Sequence, residues 1–344
     1  MKKILQEYSA EELAAELERF ELKKFRFTQI FEWTQNYVPV MEMSNLPLDL
    51  REQLDKDYTS TPVSIEKEWV SKDGTKKYLL RLPDDNLIEC VLMEYKYGNT
   101  LCISTQVGCR MGCVFCASGI DGLERNLTAG EMLSEVLAVN RHLGGTLADR
   151  KITNIVLMGS GEPLDNYDNV VKFVRLVSAP KGINISQRNI SLSTCGIAPK
   201  IKKLAEEDLS ITLTISLHAS NDETRQEIMK IAKAYSLDEL MGAVRYYHKK
   251  TNRRIVYEYI MLESNTKYAD ALRLKHLLSG VQSHINLIPV NETANGIKGI
   301  SKERQTKFWE HLKAQGISVT TRRTLGSDIE GACGQLKRRY LKGE

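Results

Sequence analysis

Between residues 100 and 290, short apolar runs alternate with stretches of helical periodicity, and the connections between them are short. That alternation restricts the chain to a parallel sheet, either open or curled into a barrel. The strand candidates are Thr100–Gln106, Ile152–Met158, Asn189–Ser193, Ile211–Ser216, Ile255–Met261 and His284–Pro289. A helix opens at the capping box Thr128-Ala129-Gly130-Glu131 and runs to about His142, and further helical stretches cover Asp238–Lys249 and Tyr268–Leu278. In a parallel barrel the reactive groups sit at the C-terminal ends of the strands. The polar residues that interrupt this apolar pattern are therefore the ones to inspect.

The residues before the alternation read differently. Ser9-Ala10-Glu11-Glu12 forms a capping box ahead of Leu13, Leu17 and Phe20 on one helical face, and a second helix carries Phe27, Ile30, Phe31 and Trp33. Trp69–Leu82 reads as a β-hairpin turning at Asp73-Gly74, with strands Leu87–Met93 and Thr100–Gln106 flanking Gly98-Asn99. The expected organisation is a helical module over 1–60, a hairpin region over 61–98 and the main α/β domain over 99–344. At 344 residues, 42% of them apolar and with 8 prolines, the chain can support one large core and an appendage.

Cys109, Cys113 and Cys116 stand in a C-x3-C-x2-C spacing directly after the first strand of the alternation, beside Gly108, Gly112 and Gly119. Structural zinc takes four ligands in two pairs, and no second pair follows. Three thiolates on a short loop instead suit a cubane iron–sulfur cluster with one iron left open, which favours chemistry over electron storage. Seven cysteines, an odd number spread along the chain, fit a reducing compartment better than a disulfide framework. The acidic N-terminal segment and the absence of an apolar run of about 18 residues give a cytoplasmic expectation with no membrane partner.

Other residues stand at strand ends. Glu162, in Gly159-Ser160-Gly161-Glu162-Pro163, places a carboxylate where it can pair with an ammonium group. Ser193 and the run Ser216-Leu217-His218 end two later strands. Cys102 precedes the cysteine loop and Cys333 lies between small residues in Gly331-Ala332-Cys333-Gly334. Each of these two thiols is read equally as a buried apolar group or as a reactive one. The net charge of +4 does not by itself announce a nucleic-acid binder. The basic groups around Lys23, around Lys249 and from Arg322 to Lys342 read singly as solvated faces and together permit RNA binding.

The ordered motifs CISTQVGCRMGCVFC, NLTAGE, LMGSGEPLDN, STCG, SLHA, NLIPVN and ACGQL resemble those of the RlmN/Cfr family of radical S-adenosylmethionine (SAM) RNA methyltransferases, from about residue 9 to the C-terminus. The GEP sequence and the helical N-terminal module resemble the RlmN side. The resemblance implies a partial (β/α)6 barrel and a [4Fe-4S] cluster on Cys109, Cys113 and Cys116. It implies SAM held by Gly161, Glu162, Ser193, Ser216, Leu217, His218 and Asn291. It also implies methylation of adenine carbon 2 in 23S rRNA and in tRNA, two SAM molecules per turnover, and an electron donor such as flavodoxin or ferredoxin, with the enzyme a monomer. Cys333 matches the cysteine that is S-methylated and Cys102 its resolving partner, the pair closing as a disulfide to release product. Glu89 matches a proton acceptor.

Four departures from the family pattern stand at Ile228-Met229-Lys230, Asn291-Glu292, Glu263–Thr266 and Glu330-Gly331-Ala332-Cys333. They bear on substrate range more than on reaction class. The alternatives are Cfr-type methylation at carbon 8, a radical enzyme acting on another protein, which leaves Cys102 and Cys333 without roles, and a non-catalytic iron–sulfur protein that binds RNA.

Overall fold

The computed structural model describes residues 2–290 and 299–335. The first module pairs β1 (Lys3–Ile4) with β2 (Tyr58–Thr59) and packs α1 (Ala10–Glu16), α2 (Lys24–Gln35) and α3 (Leu48–Asp57) around a core of its own built on Leu13, Leu17, Ile30, Phe31, Leu54 and Tyr58. Ser9 and Glu12 close the expected capping box on α1. Its second helix buries Ile30 and Phe31, two of the apolar positions whose spacing predicts it.

The rest of the chain builds one ten-stranded sheet and its covering helices. The antiparallel strands β3 (Ser64–Val70), β4 (Lys76–Arg81) and β5 (Leu87–Tyr95) lead to β6 (Gly98–Cys102). A two-stranded ribbon, β7 (Gln106–Gly108) with β8 (Leu123–Asn126), encloses the cysteine loop. Next come α4 (Ala129–His142), β9 (Ile152–Leu157), α5 (Tyr167–Val177), β10 (Ile190–Thr194), α6 (Ala198–Leu204), β11 (Thr212–Ser216), α7 (Asp222–Ile228), α8 (Leu237–Thr251), β12 (Ile255–Met261), α9 (Tyr268–Leu277), β13 (Ser283–Pro289), α10 (Lys302–Ala314) and β14 (Val319–Thr321). From β6 through β9 to β14 every pairing is parallel. The expected α/β partial barrel is present, with one more parallel strand, β14, than the sequence pattern gives.

The predicted strand Thr100–Gln106 is in fact two. β6 stops at Cys102 because the following backbone bonds to the turn after β9: Ser160 O accepts from Thr105 N, and Gly159 N donates to Ile103 O. The sheet also curls. After β14 the chain returns to the β3–β4 turn, where Gly326 N donates to Asp73 Oδ2 at 2.8 Å and Ser71 Oγ donates to Asp328 Oδ1 at 2.6 Å. Those contacts bring the two edges of the sheet together without a strand ladder between them.

Side chains alternate along each parallel strand. Leu213 and Ile215 of β11, Tyr257 and Tyr259 of β12, and Ile285 and Leu287 of β13 enter the core shared with the helices. Ser216, Glu258, Ile260 and Ile288 face the other way, into the concave interior. Because consecutive residues of a strand point to opposite faces, a polar residue inside an apolar strand is directed to that interior.

Candidate active site

The interior holds two adjoining cavities. The inner one, about 160 Å³, is lined by Cys109, Cys113 and Cys116 on one side and by Glu162, Ser193, Ser216 and His218 at strand ends on the other. The loop that carries the thiols is pinned on three sides. Cys109 N donates to Gly122 O at 2.9 Å, Val114 N to Ile228 O at 3.1 Å, and Ala117 N to Gly334 O at 2.8 Å. These backbone bonds fix the loop within its own ribbon and against the segments of Ile228 and Gly334, and all three cysteines line the inner cavity.

Gly161 is required by its surroundings. Its φ is +109°, and a Cβ there would lie 2.7 Å from Gln106 Cβ and from Thr105 Oγ1. The close approach lets Gln106 Oε1 accept the Glu162 N–H at 2.9 Å. The Glu162 carboxylate accepts from Cys195 N at 2.7 Å and from Leu164 N at 3.0 Å, and burial raises its pKa. It is a fixed acceptor with its direction set by two backbone donors, suited to an ammonium partner.

His218 sits in the left-handed region at φ +58°, with Phe115 of the cysteine loop edge-on at 4.7 Å. Its Nδ1 accepts from Ile260 N at 3.1 Å, so the neutral ring carries its proton on Nε2 and presents a donor. Burial, reinforced by the nearby Arg225 charge, pulls its pKa down to about 3. The departure at Glu263–Thr266 supplies its brace, since Asn265 Nδ2 donates to His218 O at 2.8 Å. Ser193 and Ser216 place their hydroxyls 3.4 Å apart. Leu217 is not among the residues lining the inner cavity: its side chain enters the helix-facing core, and its N–H donates to Glu258 O at 3.1 Å. Asn291 lies outside the described residues.

The outer cavity is lined by Cys102, Met93, Tyr95, Met158, Arg322 and Cys333. Cys333 and Cys116 border both cavities, so the thiol near the C-terminus stands on the wall between them. All seven cysteines are free thiols. Burial pushes Cys102 up to about 12 and also raises Cys333, while the Arg322 guanidinium opposes both shifts. Glu89 shares the Cys102 face of the sheet but lines neither cavity. It is paired with Lys77 at 3.1 Å, with both side chains 5% exposed or less.

Three residues of the site escaped the sequence reading. Glu258, in the apolar run Ile255–Met261, faces the inner cavity. Its Oε1 accepts from Asn286 at 3.2 Å, and its Oε2, 3.8 Å from Arg322, has no hydrogen-bond partner. A carboxylate inside an apolar strand was the available signal. Arg322, read as part of a solvated basic group, has a side chain only 23% exposed and touches both cavities. That correction follows from β14 delivering the residue to the interior. Arg225 is fully buried on a polar-looking helix, where it donates to the carbonyls of Cys195, Leu217 and Ser216.

The donor set suits a cluster. Among the described residues no three His, Cys, Asp or Glu side chains are grouped to hold a single ion. A cube bound at three separate irons does not ask its thiolates to share one. Arg225 supplies a second observation: its Nη1 is buried without a hydrogen-bond partner, and no carboxylate is ion-paired with it among the described residues. Burying a cation is costly, and beyond its carbonyl acceptors Arg225 interacts electrostatically with Cys195, Cys113 and Asp222, so an anionic cluster held by Cys113 would add to that compensation. Residues 103–274 match the radical SAM superfamily. Probable dual-specificity RNA methyltransferases RlmN are 51% identical in Clostridium botulinum (strain Eklund 17B / Type B), over 99% of this chain and 98% of that one, and 49% identical in Clostridium perfringens (strain 13 / Type A), over 100% and 99%. The chain belongs to the RlmN family of radical SAM RNA methyltransferases. A crystal structure of a radical SAM methyltransferase from Sphaerobacter thermophilus, 40% identical, superposes with a TM-score of 0.93 over 98% of this chain and all of that one. Membership in the RlmN family implies a [4Fe-4S] cluster and SAM. No helix among the described residues is long and apolar enough to cross a membrane.

Proposed function

We propose that this RlmN-family enzyme methylates carbon 2 of an adenosine in 23S rRNA and of the adenosine 3′ of the anticodon in tRNAs, through a methyl group carried on Cys333. The position of Cys333 carries the reading: it stands on the wall shared by the cavity of the cluster thiols and the cavity of Cys102. A carrier must exchange with the cofactor on one side and the base on the other. When bound, the cluster and two SAM molecules per turnover supply the methyl group and the one-electron chemistry that an electron-poor ring carbon requires.

The protein's own residues do the rest. Cys109, Cys113 and Cys116 hold the cluster. Glu162 and the Nε2–H of His218 orient SAM, with Gly161, Ser193, Ser216, the Leu217 backbone and Asn291 completing its site. Cys333 Sγ takes the methyl group, and its carbon would be joined to the ring once one of its hydrogen atoms has been removed by the one-electron chemistry of the bound cofactors, with the ring then giving up a proton and returning one electron to the cluster. Cys102, rather than Glu89, takes the ring proton, because Cys102 lines the outer cavity while Glu89 is held by Lys77. Cys102 Sγ, releasing its proton, then attacks Cys333 Sγ. The S–S bond forms as the S–C bond breaks, the electron pair leaves with carbon, and that carbon takes up a proton to become the product methyl. Burial holds both thiols toward their neutral form, and Arg322 partly offsets it. A small soluble one-electron donor, flavodoxin or ferredoxin, would supply the cluster.

The test is to incubate anaerobically reconstituted protein with SAM, a reductant and unmodified 23S rRNA or tRNA, and to identify the methyladenosines in the digested RNA by mass spectrometry. 2-Methyladenosine is the expected product, and 8-methyladenosine would overturn the regiochemistry. Cys102→Ala should accumulate a covalent protein–RNA adduct, and Cys333→Ala neither adduct nor product. Normal turnover in either variant refutes the two-cysteine route.

A further inference from the structure

The hairpin joining β5 to β6 ends in Tyr95-Lys96-Tyr97-Gly98, an unusual place for two aromatic rings. Tyr95 is the last residue of β5, and Tyr97 lies in the two-residue turn that follows. Their rings stack with centroids 4.9 Å apart and planes inclined by 7°. Tyr95 is the inner ring, lining the outer cavity beside Cys102 and Cys333, with its hydroxyl directed at Met93 Sδ, 3.6 Å away. Tyr97 is the outer ring and is 72% exposed, the largest value among the exposed large apolar side chains of the described residues. The pair forms an aromatic step that leads from the reaction cavity to solvent.

The step is held firmly. Gly98 lies against β9, where a Cβ would come 2.2 Å from Thr153 Oγ1. Thr153 Oγ1 donates to Asn99 O at 3.1 Å, and Asn99 Nδ2 donates to Lys151 O at 3.1 Å. Lys96 is exposed at the tip, and exposed Arg323 lines the same cavity mouth. Both arginines, Arg322 and Arg323, act electrostatically on Tyr95, and Arg322 acts on Tyr97. An open aromatic face bordered by cations matches what single-stranded RNA offers, a π-face beside a phosphate.

We propose that Tyr97 is a stacking platform for the nucleobase next to the adenine that enters the outer cavity, with Lys96 and Arg323 facing the adjoining phosphates. The proposal rests on the RNA-methylating reading above and adds to it a contact that selects unpaired RNA. A base whose neighbour remained in a helix could not place that neighbour on Tyr97. Target loops with at least two unstacked nucleotides are therefore preferred.

The test uses the full, cluster-reconstituted protein and a fluorescein-labelled single-stranded RNA oligonucleotide with one central adenosine, followed by fluorescence anisotropy. Tyr97→Ala should weaken binding about 5-fold to 150-fold, the range for loss of one base–aromatic stack. Tyr97→Phe should stay within about twofold of wild type, because the ring face is retained. The same oligonucleotide with abasic sites on both sides of the adenosine should bind wild type and Tyr97→Ala equally. Equal binding of Tyr97→Ala and wild type to the intact oligonucleotide overturns the platform, as does a Tyr97→Ala defect that persists on the abasic RNA. A defect seen only with a protein ligand, such as ribosomal proteins free of RNA, reassigns the surface and overturns it too. Wild-type protein that binds no RNA overturns the RNA reading itself. Because Tyr97 is exposed, the variant should melt at the wild-type temperature, which separates lost stacking from lost folding.

Discussion

The ion pair between Lys77 and Glu89 gives the sharpest separation of structure from chemistry. Glu89→Ala removes the carboxylate 3.1 Å from a Lys77 ammonium whose side chain is 5% exposed. Breaking a buried pair from one side costs about 3–5 kcal/mol. The upper end has an independent bound: an ordinary lysine can release its proton at pH 7 for about 5 kcal/mol, and for about 1.4 less with each unit of higher pH. The loss should therefore be roughly 3–5 kcal/mol at pH 7 and no more than about 2 kcal/mol at pH 9. Trp69, whose ring lies 4.8 Å from Lys77 Nζ, is present in both forms and does not change the difference. Guanidinium unfolding followed by far-ultraviolet circular dichroism at the two pH values reads this directly. The double variant Lys77→Met/Glu89→Leu should recover wild-type stability within about 1 kcal/mol, since replacing both partners by apolar groups is close to neutral. If it also retains methyl transfer, proton acceptance does not belong to Glu89. A Glu89→Ala loss below about 1 kcal/mol would refute the argument, because it would mean that Lys77 has another route to water.

Further expectations rest on other parts of the site. Gly161→Ala forces a Cβ against Gln106 and Thr105 at 2.7 Å and displaces the hydrogen bond that sets Glu162, so equilibrium dialysis of reconstituted protein should show SAM affinity reduced at least tenfold. Arg225→Met removes the cation that interacts with Cys113, and redox titration followed by electron paramagnetic resonance should show a midpoint lower by about 59 mV or more, a factor of ten in reduced fraction. An unchanged midpoint would leave Arg225 only its carbonyl contacts. His218, held neutral with a pKa of about 3, binds no proton in the folded state where the unfolded histidine does. Stability should then fall as the pH drops from about 6.5 toward 3, and His218→Asn, which tolerates the positive φ, should flatten that slope in denaturant midpoints.

What the sequence showed and what it concealed divide along a physical line. The cysteine loop, Glu162 and His218 were legible because each follows a strand whose apolar run can be read locally. Glu258 was equally legible, since a carboxylate within Ile255–Met261 has to point to one face of a strand, and its neighbours assign it to the interior. Arg225 carried no local mark: α7 reads as a polar surface helix, and its burial comes from the turns after β10 and β11 closing over it. Arg322 was hidden for a related reason, because β14 is three residues long and too short for periodicity to reveal. The break between β6 and β7 was invisible because it depends on backbone bonds to Gly159 and Ser160, more than fifty positions away.

The strand order has a consequence for how such a molecule comes into being on the ribosome. Every strand of the large sheet lies against the one that precedes it in that sheet, so none has to be threaded between two already in place. Growth at a single edge suffices, in the direction of synthesis, each strand pairing with one already in place. The thiol loop emerges early in this sequence and the wall carrying Arg322 and Cys333 is laid down last. Before β14 is added, β13 is the edge of the sheet, so the interior that the three cysteines face has its full set of walls only when the last strand is in place.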